Sequence, residues 1–271
     1  MTRLRRFLAR QIGLLASRCW GSDVPVFAQR IVRFLYCPWI GRGRAMTKTI
    51  PIPGTGAKFE VDTQLYVDWQ IWCYGTQDYA VELAIRSHLT NGGTFVDVGA
   101  NSGYFACLAA ALGAQSHAFE PVSRMHSKLI RTRELNPELP IICHRLGCGD
   151  SPGRFTISLP DESDPNWGQS SILRSVSGNT ESIELVTLDE FFRENSDSRI
   201  TMIKIDVEGA EHLVLGGATE VIASQKPVII FEANDESGER CLEMLRNAGY
   251  STKRLSRATR DWIAVPSLTV R

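Results

Sequence analysis

Four acidic residues and one glycine-rich turn carry the chemical content of this chain. Asp97 opens Asp97-Val98-Gly99-Ala100-Asn101-Ser102-Gly103, and Glu120 follows in Phe119-Glu120-Pro121. Asp206 and Glu208 stand in Ile203-Lys204-Ile205-Asp206-Val207-Glu208-Gly209-Ala210-Glu211. Gly99 and Gly103 remove side chains where a backbone must bend or approach a ligand, and the helix that follows aims its free N–H groups at the same point. The turn lacks the Gly-x-Gly-x-x-Gly of a dinucleotide site and the Gly-Lys-Ser/Thr of a P-loop. Asp97, at a strand end, suits a cationic amino group, and the loop amides suit a carboxylate. Glu120, at the end of the next strand, suits a pair of ribose hydroxyls. A nucleoside with an amino-acid tail meets all three demands, so S-adenosylmethionine is the expected cofactor. Asp97, Gly99, Asn101, Gly103 and Glu120 are its expected contacts, with Asp150 beside the adenine amine.

Methyl transfer needs the acceptor in line with the methyl group and a group to take the acceptor's proton. In the strand before Asp206, alternation puts Met202, Lys204 and Asp206 on one face, and Glu208 continues the phase. Asp206 or Glu208 is the candidate to orient or deprotonate a hydroxyl, with His212 as a competing base. The structural alternative for Glu208 and Glu211 is stabilisation at a helix N-terminus. Two carboxylates without a clear third ligand argue against a divalent cation, so no metal is expected. Glu232 ends the next strand on the same crevice, either to bind substrate or to cap. Trp167, in the polar loop 164–171, is the candidate to stack on a sugar.

Elements of alternating period must position these residues. Strands are expected at 94–98, 115–120, 140–146, 200–206 and 228–232, separated by helices at 102–112, 123–135, 188–195, 209–224 and 237–248. Segments 154–159 and 182–186 read as additional strands. Residues 250–255 and 262–265 read as a closing hairpin of two edge strands. Repeated βα units imply an open, mostly parallel sheet with ligands at the strand carboxyl ends. Upstream, residues 50–61 suggest a short hairpin, and residues 68–87 suggest two helices joined at Gly75-Thr76.

The net charge of zero conceals an asymmetry, because residues 1–48 hold ten Lys or Arg against the single acid Asp23. Apolar residues at 4, 7, 8, 12 and 15, opposite Arg5, Arg6 and Arg10, make an amphipathic basic helix too interrupted to span a bilayer. It reads as a helix packed on the domain, a contact with an anionic membrane through residues 1–40, or an organelle-targeting segment. No aromatic series accompanies the basic residues, so nucleic acid is not an expected partner. The seven cysteines show no Cys-x-x-Cys pairing. They read as reduced thiols of a cytoplasmic protein, with a peripheral place at the inner membrane surface as the extension of that reading. The expected organisation is a basic helical extension over 1–48, a hairpin and helical lead-in over 49–93 and a catalytic domain over 94–271.

Phe95 to Tyr104, Phe119-Glu120-Pro121, Leu188-Asp189-Glu190-Phe191 and Ile203 to Glu211 together resemble the FkbM family of S-adenosylmethionine-dependent methyltransferases, in the family's order. The resemblance covers roughly residues 90–235. It implies a Rossmann-like seven-stranded sheet and O-methylation of a hydroxyl. The expected acceptor is a small molecule, glycan or glycolipid: a sugar, a glycolipid or a secondary metabolite. The competing readings are a non-catalytic nucleoside-binding or regulatory protein on the same fold and an NAD-dependent oxidoreductase, the latter opposed by the missing dinucleotide glycines.

Overall fold

The computed structural model describes residues 46–89, 92–160, 179–195, 199–233, 236–256 and 259–267. The basic amphipathic segment before residue 46 and the loop 164–171 with Trp167 lie outside them. A hairpin of β1 (Thr47–Pro51) and β2 (Lys58–Asp62) leads into α1 (Tyr66–Tyr74) and α2 (Tyr79–His88). Gly75 ends α1 in the left-handed conformation, at φ 81°. Asp78 starts α2 by accepting from the amides of Ala80 and Val81. These two caps are why the helical pattern breaks at Gly75.

The main sheet takes β3 (Thr94–Val98), β4 (Gln115–Phe119), β5 (Ile141–His144), β9 (Ile200–Ile205), β10 (Val228–Glu232), β11 (Tyr250–Arg254) and β12 (Asp261–Pro266). Their spatial order is β11-β12-β10-β9-β3-β4-β5. β12 runs antiparallel to both of its neighbours, and the other pairs are parallel. This is the seven-stranded Rossmann-like sheet expected, with one correction: of the two strands of the closing hairpin only β11 lies at the sheet's edge, since β12 inserts between it and β10. The connecting helices are α3 (Tyr104–Ala111), α4 (Ser123–Glu134), α5 (Leu188–Asn195), α6 (Glu211–Gly216), α7 (Thr219–Gln225) and α8 (Glu236–Asn247). A separate small sheet orders β6 (Gly147–Cys148), β8 (Thr180–Val186) and β7 (Gly153–Ser158). The chain leaves β3 toward β4 and β5 and later returns to β9 on the other side, so the crevice between β3 and β9 is the topological switch point.

The helix expected over 209–224 is two helices. A Cβ on Gly217 would stand 1.9 Å from the carbonyl oxygen of Gly149, so the loop after β6 presses on the chain where α6 ends. Asp189, in the Leu-Asp-Glu-Phe motif, then starts α7 by accepting from the amides of Glu220 and Val221 at 2.9 Å each.

Strand alternation divides the apolar residues between two cores. Phe95, Met202, Ile230 and Ile263 pack with the β1–β2 hairpin, α2 and α3. Val96, Val98, Ile203, Ile205, Ile229 and Phe231 pack with α5, α6, α7 and α8. Residues 46–89 thus share one hydrophobic core with the sheet. On the first face, moving two residues along each strand replaces the apolar row by charge. Asp97 lies opposite Lys204 in the parallel β3–β9 pair, and Glu232 lies opposite Asp261 in the antiparallel β10–β12 pair.

Lys204 is a buried cation, 4% exposed in its side chain, with Nζ 3.2 Å from Asp206 Oδ2 and 3.5 Å from Asp97 Oδ1. Burial opposes its charge, but the Asp206 and Asp97 carboxylates outweigh burial and hold the ammonium above its ordinary range. Asp97 is 1% exposed, and neither of its oxygens has a hydrogen bond of good geometry. Burial pushes its carboxyl up, and Lys204 opposes that.

Gly217→Ala is expected to cost about 2 kcal/mol or more, read from the urea midpoint, because backbone cannot yield as a flexible side chain would. Lys204→Met is expected to cost about 3–5 kcal/mol by leaving a buried carboxylate unpaired. In that variant Asp97 binds a proton more readily folded than unfolded, so stability falls as pH rises above the unfolded carboxyl range. The deficit against wild type should therefore be smaller at pH 5 than at pH 8 in urea unfolding.

Candidate active site

A cavity of about 310 Å³ opens at the carboxyl ends of β3, β4, β9 and β10. That volume lies at the small end of the range for small-molecule sites. Gly99, Asn101 and Glu120 line it, as do Asp206, Glu208 and Glu232. An apolar wall comes from Val122, Met125, Ile157, Ile183 and Leu185. Tyr66, Val67 and Gln70 of α1 also line it.

Local geometry explains the loop after β3. Gly99 has φ 76°, and a Cβ there would stand 1.9 Å from the carbonyl oxygen of Asp206, so the ends of β3 and β9 meet only over a glycine. Asn101 also takes a positive φ, 52°, and its Oδ1 accepts from the amide of Ser102 at 2.8 Å. The Asn101 amide donates to Glu120 Oε2 at 2.9 Å, and the Val122 amide donates to Glu120 Oε1 at 2.9 Å. Burial first, and the charges of Asp97 and Asp206, push the Glu120 carboxyl up to about 7 against those two hydrogen bonds.

A polar latch that spacing alone does not suggest fixes α1 beside this loop. Asp68 is fully buried and ion-paired at 2.7 Å to Lys128 of α4. It also accepts from Ser102 Oγ at 3.2 Å and from the amide of Asp62 at 2.8 Å. The loop after β3, the hairpin and two helices therefore converge on one carboxylate. At the N-terminus of α3, Tyr104 donates to Glu82 of α2 at 3.0 Å.

The expected site residues separate into two groups. Gly99, Asn101, Glu120, Asp206 and Glu208 come together at the cavity. Asp97 lies behind it, against Lys204. Gly103 turns at φ 83° against Leu129 of α4, where a Cβ would stand 2.5 Å from Leu129 Cδ1, so its glycine serves packing. Asp150 is exposed beside Ser151 and is not among the lining residues; Gly147 and Cys148, ahead of it, are. His212 Nδ1 lies 2.7 Å from Ser237 Oγ, and that hydroxyl lies 3.3 Å from Glu211 Oε2. His212 thus faces α8 rather than the cavity. Glu211 is buried and accepts from the amides of Val207 and Gly209, which shapes the Glu208 turn at φ 55°. Lys204 was visible in the sequence as a lysine in phase with Asp206, but its pairing to Asp97 needs the β3–β9 register. Among the described residues no group of three or more His, Cys, Asp or Glu is arranged to hold a metal ion, and no helix is long and apolar enough to cross a membrane.

Comparison with known proteins places this geometry in context. Among solved structures, the chain is similar to a methyltransferase FkbM from Methylobacillus flagellatus, at 19% identity and TM-score 0.45 over 64% of this chain. It spans 43% of the length of that protein. It is also similar to the M. jannaschii tRNA m1G37 methyltransferase, at 12% identity and TM-score 0.47, over 83% of this chain and 58% of the other. A third likeness is to Aeropyrum pernix fibrillarin in complex with natively bound S-adenosyl-L-methionine, at 12% identity and TM-score 0.42, over 68% of this chain and 73% of the other. No curated protein matched the chain. The pattern of the methyltransferase FkbM domain matches residues 97–252, more than half of the chain and the whole span from Asp97 through Glu232. The chain belongs to the FkbM methyltransferase-domain family.

Proposed function

We propose that the protein transfers a methyl group from S-adenosylmethionine to a hydroxyl of a sugar, glycolipid or secondary metabolite. The observation that carries this reading is the single cavity that joins Glu120 and the Gly99–Asn101 loop to the carboxylates Asp206, Glu208 and Glu232. The residues fit a nucleoside: each Glu120 oxygen accepts one backbone amide and keeps a further lone pair for a ribose hydroxyl. Gly99 leaves the loop backbone bare beside it, and the apolar wall of Met125, Ile157, Ile183 and Leu185 suits a flat base. Bound S-adenosylmethionine supplies a methyl group already activated by the sulfonium.

The protein's own groups then have to exclude water, hold the acceptor and manage its proton. Asp206 is ion-paired to Lys204, which holds its side chain in place; its part is to orient a hydroxyl and to complement positive charge in the cavity. Glu208 sits at the same end, on a turn held by Glu211. His212, engaged with Ser237, takes no part in this reading.

Calorimetric titration with S-adenosylmethionine and S-adenosylhomocysteine tests the proposal. Glu120→Ala should weaken both ligands by about 10- to 100-fold, the scale of a hydrogen bond to a charged group. Because ionised Glu120 is the better acceptor, S-adenosylhomocysteine should bind more weakly at pH 6 than at pH 8, and Glu120→Gln should flatten that dependence. Absence of binding to the intact protein would overturn the reading.

A further inference from the structure

The carboxylates at the polar end of the cavity differ in what already holds them. Asp206 is ion-paired to Lys204. Glu120 has both oxygens on backbone amides. Glu232 ends β10 on the same face and lines the cavity, and its side chain makes no hydrogen bond or ion pair with any described residue. Its cross-strand mate is Asp261, the first residue of β12. Two carboxyl groups directly opposite on one face disfavour ionising together. Burial raises the Asp261 carboxyl, and the charges of Asp78, Asp206 and Glu232 raise it further.

We propose that Glu232 is the catalytic base that takes the proton of the acceptor hydroxyl, an assignment that rests on the methyl-transfer reading above. The acceptor O–H bond breaks, with the proton passing to a Glu232 oxygen, as the acceptor oxygen bonds to the methyl carbon and the C–S electron pair stays on sulfur. Glu232 later returns the proton to water. Asp206, fixed by Lys204, holds the hydroxyl while Glu232, unengaged, is able to change its protonation state. Charged groups from each neighbouring element bear on Glu232: Asp206 and Glu208 after β9, Glu211 of α6, and Arg260 and Asp261 at β12. Burial first, then Asp206, Glu208 and Glu211, push its carboxyl up to about 7, and Arg260 opposes them. A proton acceptor of that strength works near neutral pH.

The test compares two ligands on the full chain by calorimetry. Sinefungin carries an amine where S-adenosylmethionine carries the transferred methyl, whereas S-adenosylhomocysteine has nothing there. A carboxylate placed to receive the acceptor's proton lies next to that amine. Wild type should bind sinefungin at least about tenfold more tightly than S-adenosylhomocysteine, the scale of one charge-assisted hydrogen bond. Glu232→Gln should erase most of that preference and leave S-adenosylhomocysteine unchanged, while Glu232→Asp should keep part of it. The wild-type preference should also shrink from pH 8 to pH 6, a readout that needs no variant. A preference that is flat with pH, or that survives Glu232→Gln while S-adenosylhomocysteine still binds, overturns the assignment. Failure of wild type to bind either ligand overturns the methyl-transfer reading itself.

Discussion

The architecture depends on one buried cation. Lys204 lies in the middle of the sheet, between Asp97 on the neighbouring strand and Asp206 just past its own strand end. Moving a lysine ammonium out of water is costly unless carboxylates surround it, and the buried Asp97 carboxylate is costly without the lysine. Lys204 and Asp97 are therefore tolerable only together, with Asp206 as the lysine's second partner at the cavity. Their joint presence fixes β3 against β9 at the point where the chain's direction across the sheet reverses. The cavity opens at that point, with Asp206 on its rim and the Lys204–Asp97 pair behind it.

Around this centre, the contacts that shape the cavity come from distant parts of the chain. Gly99 lets the end of β3 pass over the Asp206 carbonyl. Glu120 bridges the amides of Asn101 and Val122, joining the turn after β3 to the turn after β4. Asp68 adds the lead-in segment by gathering Ser102, Lys128 and the Asp62 amide. Two successive turns at the switch point are thereby held from both sides before any ligand arrives. Such preorganisation lowers the ordering cost of binding. It also gives the buried Asp68 carboxylate its partners behind the segment of α1 that lines the cavity.

The carboxylates on the rim are equal in charge but unequal in freedom. Asp206 is committed to Lys204 and Glu120 to two amides, whereas the Glu232 side chain has no hydrogen bond or ion pair among the described residues and lies in the electrostatic field of its neighbours. A committed carboxylate is suited to holding a ligand in one orientation. An uncommitted one is suited to gaining and losing a proton. Difference in environment, rather than in residue type, is what lets one crevice assign separate roles to similar side chains.

The sequence by itself determined the order of strands and helices, because the periods of two and 3.6 residues are local properties of the chain. It also determined the turn after Asp97, the place of Glu120 at a strand end and the shared phase of Lys204 and Asp206. The boundary within 209–224 has non-local partners: the Gly149 carbonyl, some seventy residues earlier, stands where a side chain at Gly217 would be, and Asp189 accepts from the amides that start the second helix. Gly103 and His212 look catalytic or ligand-binding by spacing alone, yet Leu129 and Ser237 claim them from elements that local pattern cannot bring near. Only tertiary structure decided that Asp97 pairs with Lys204, that Asp261 inserts beside Glu232 and that α1 walls the cavity. Each of these depends on strand register and helix docking, which are set by the burial of the two core faces over long separations in the chain.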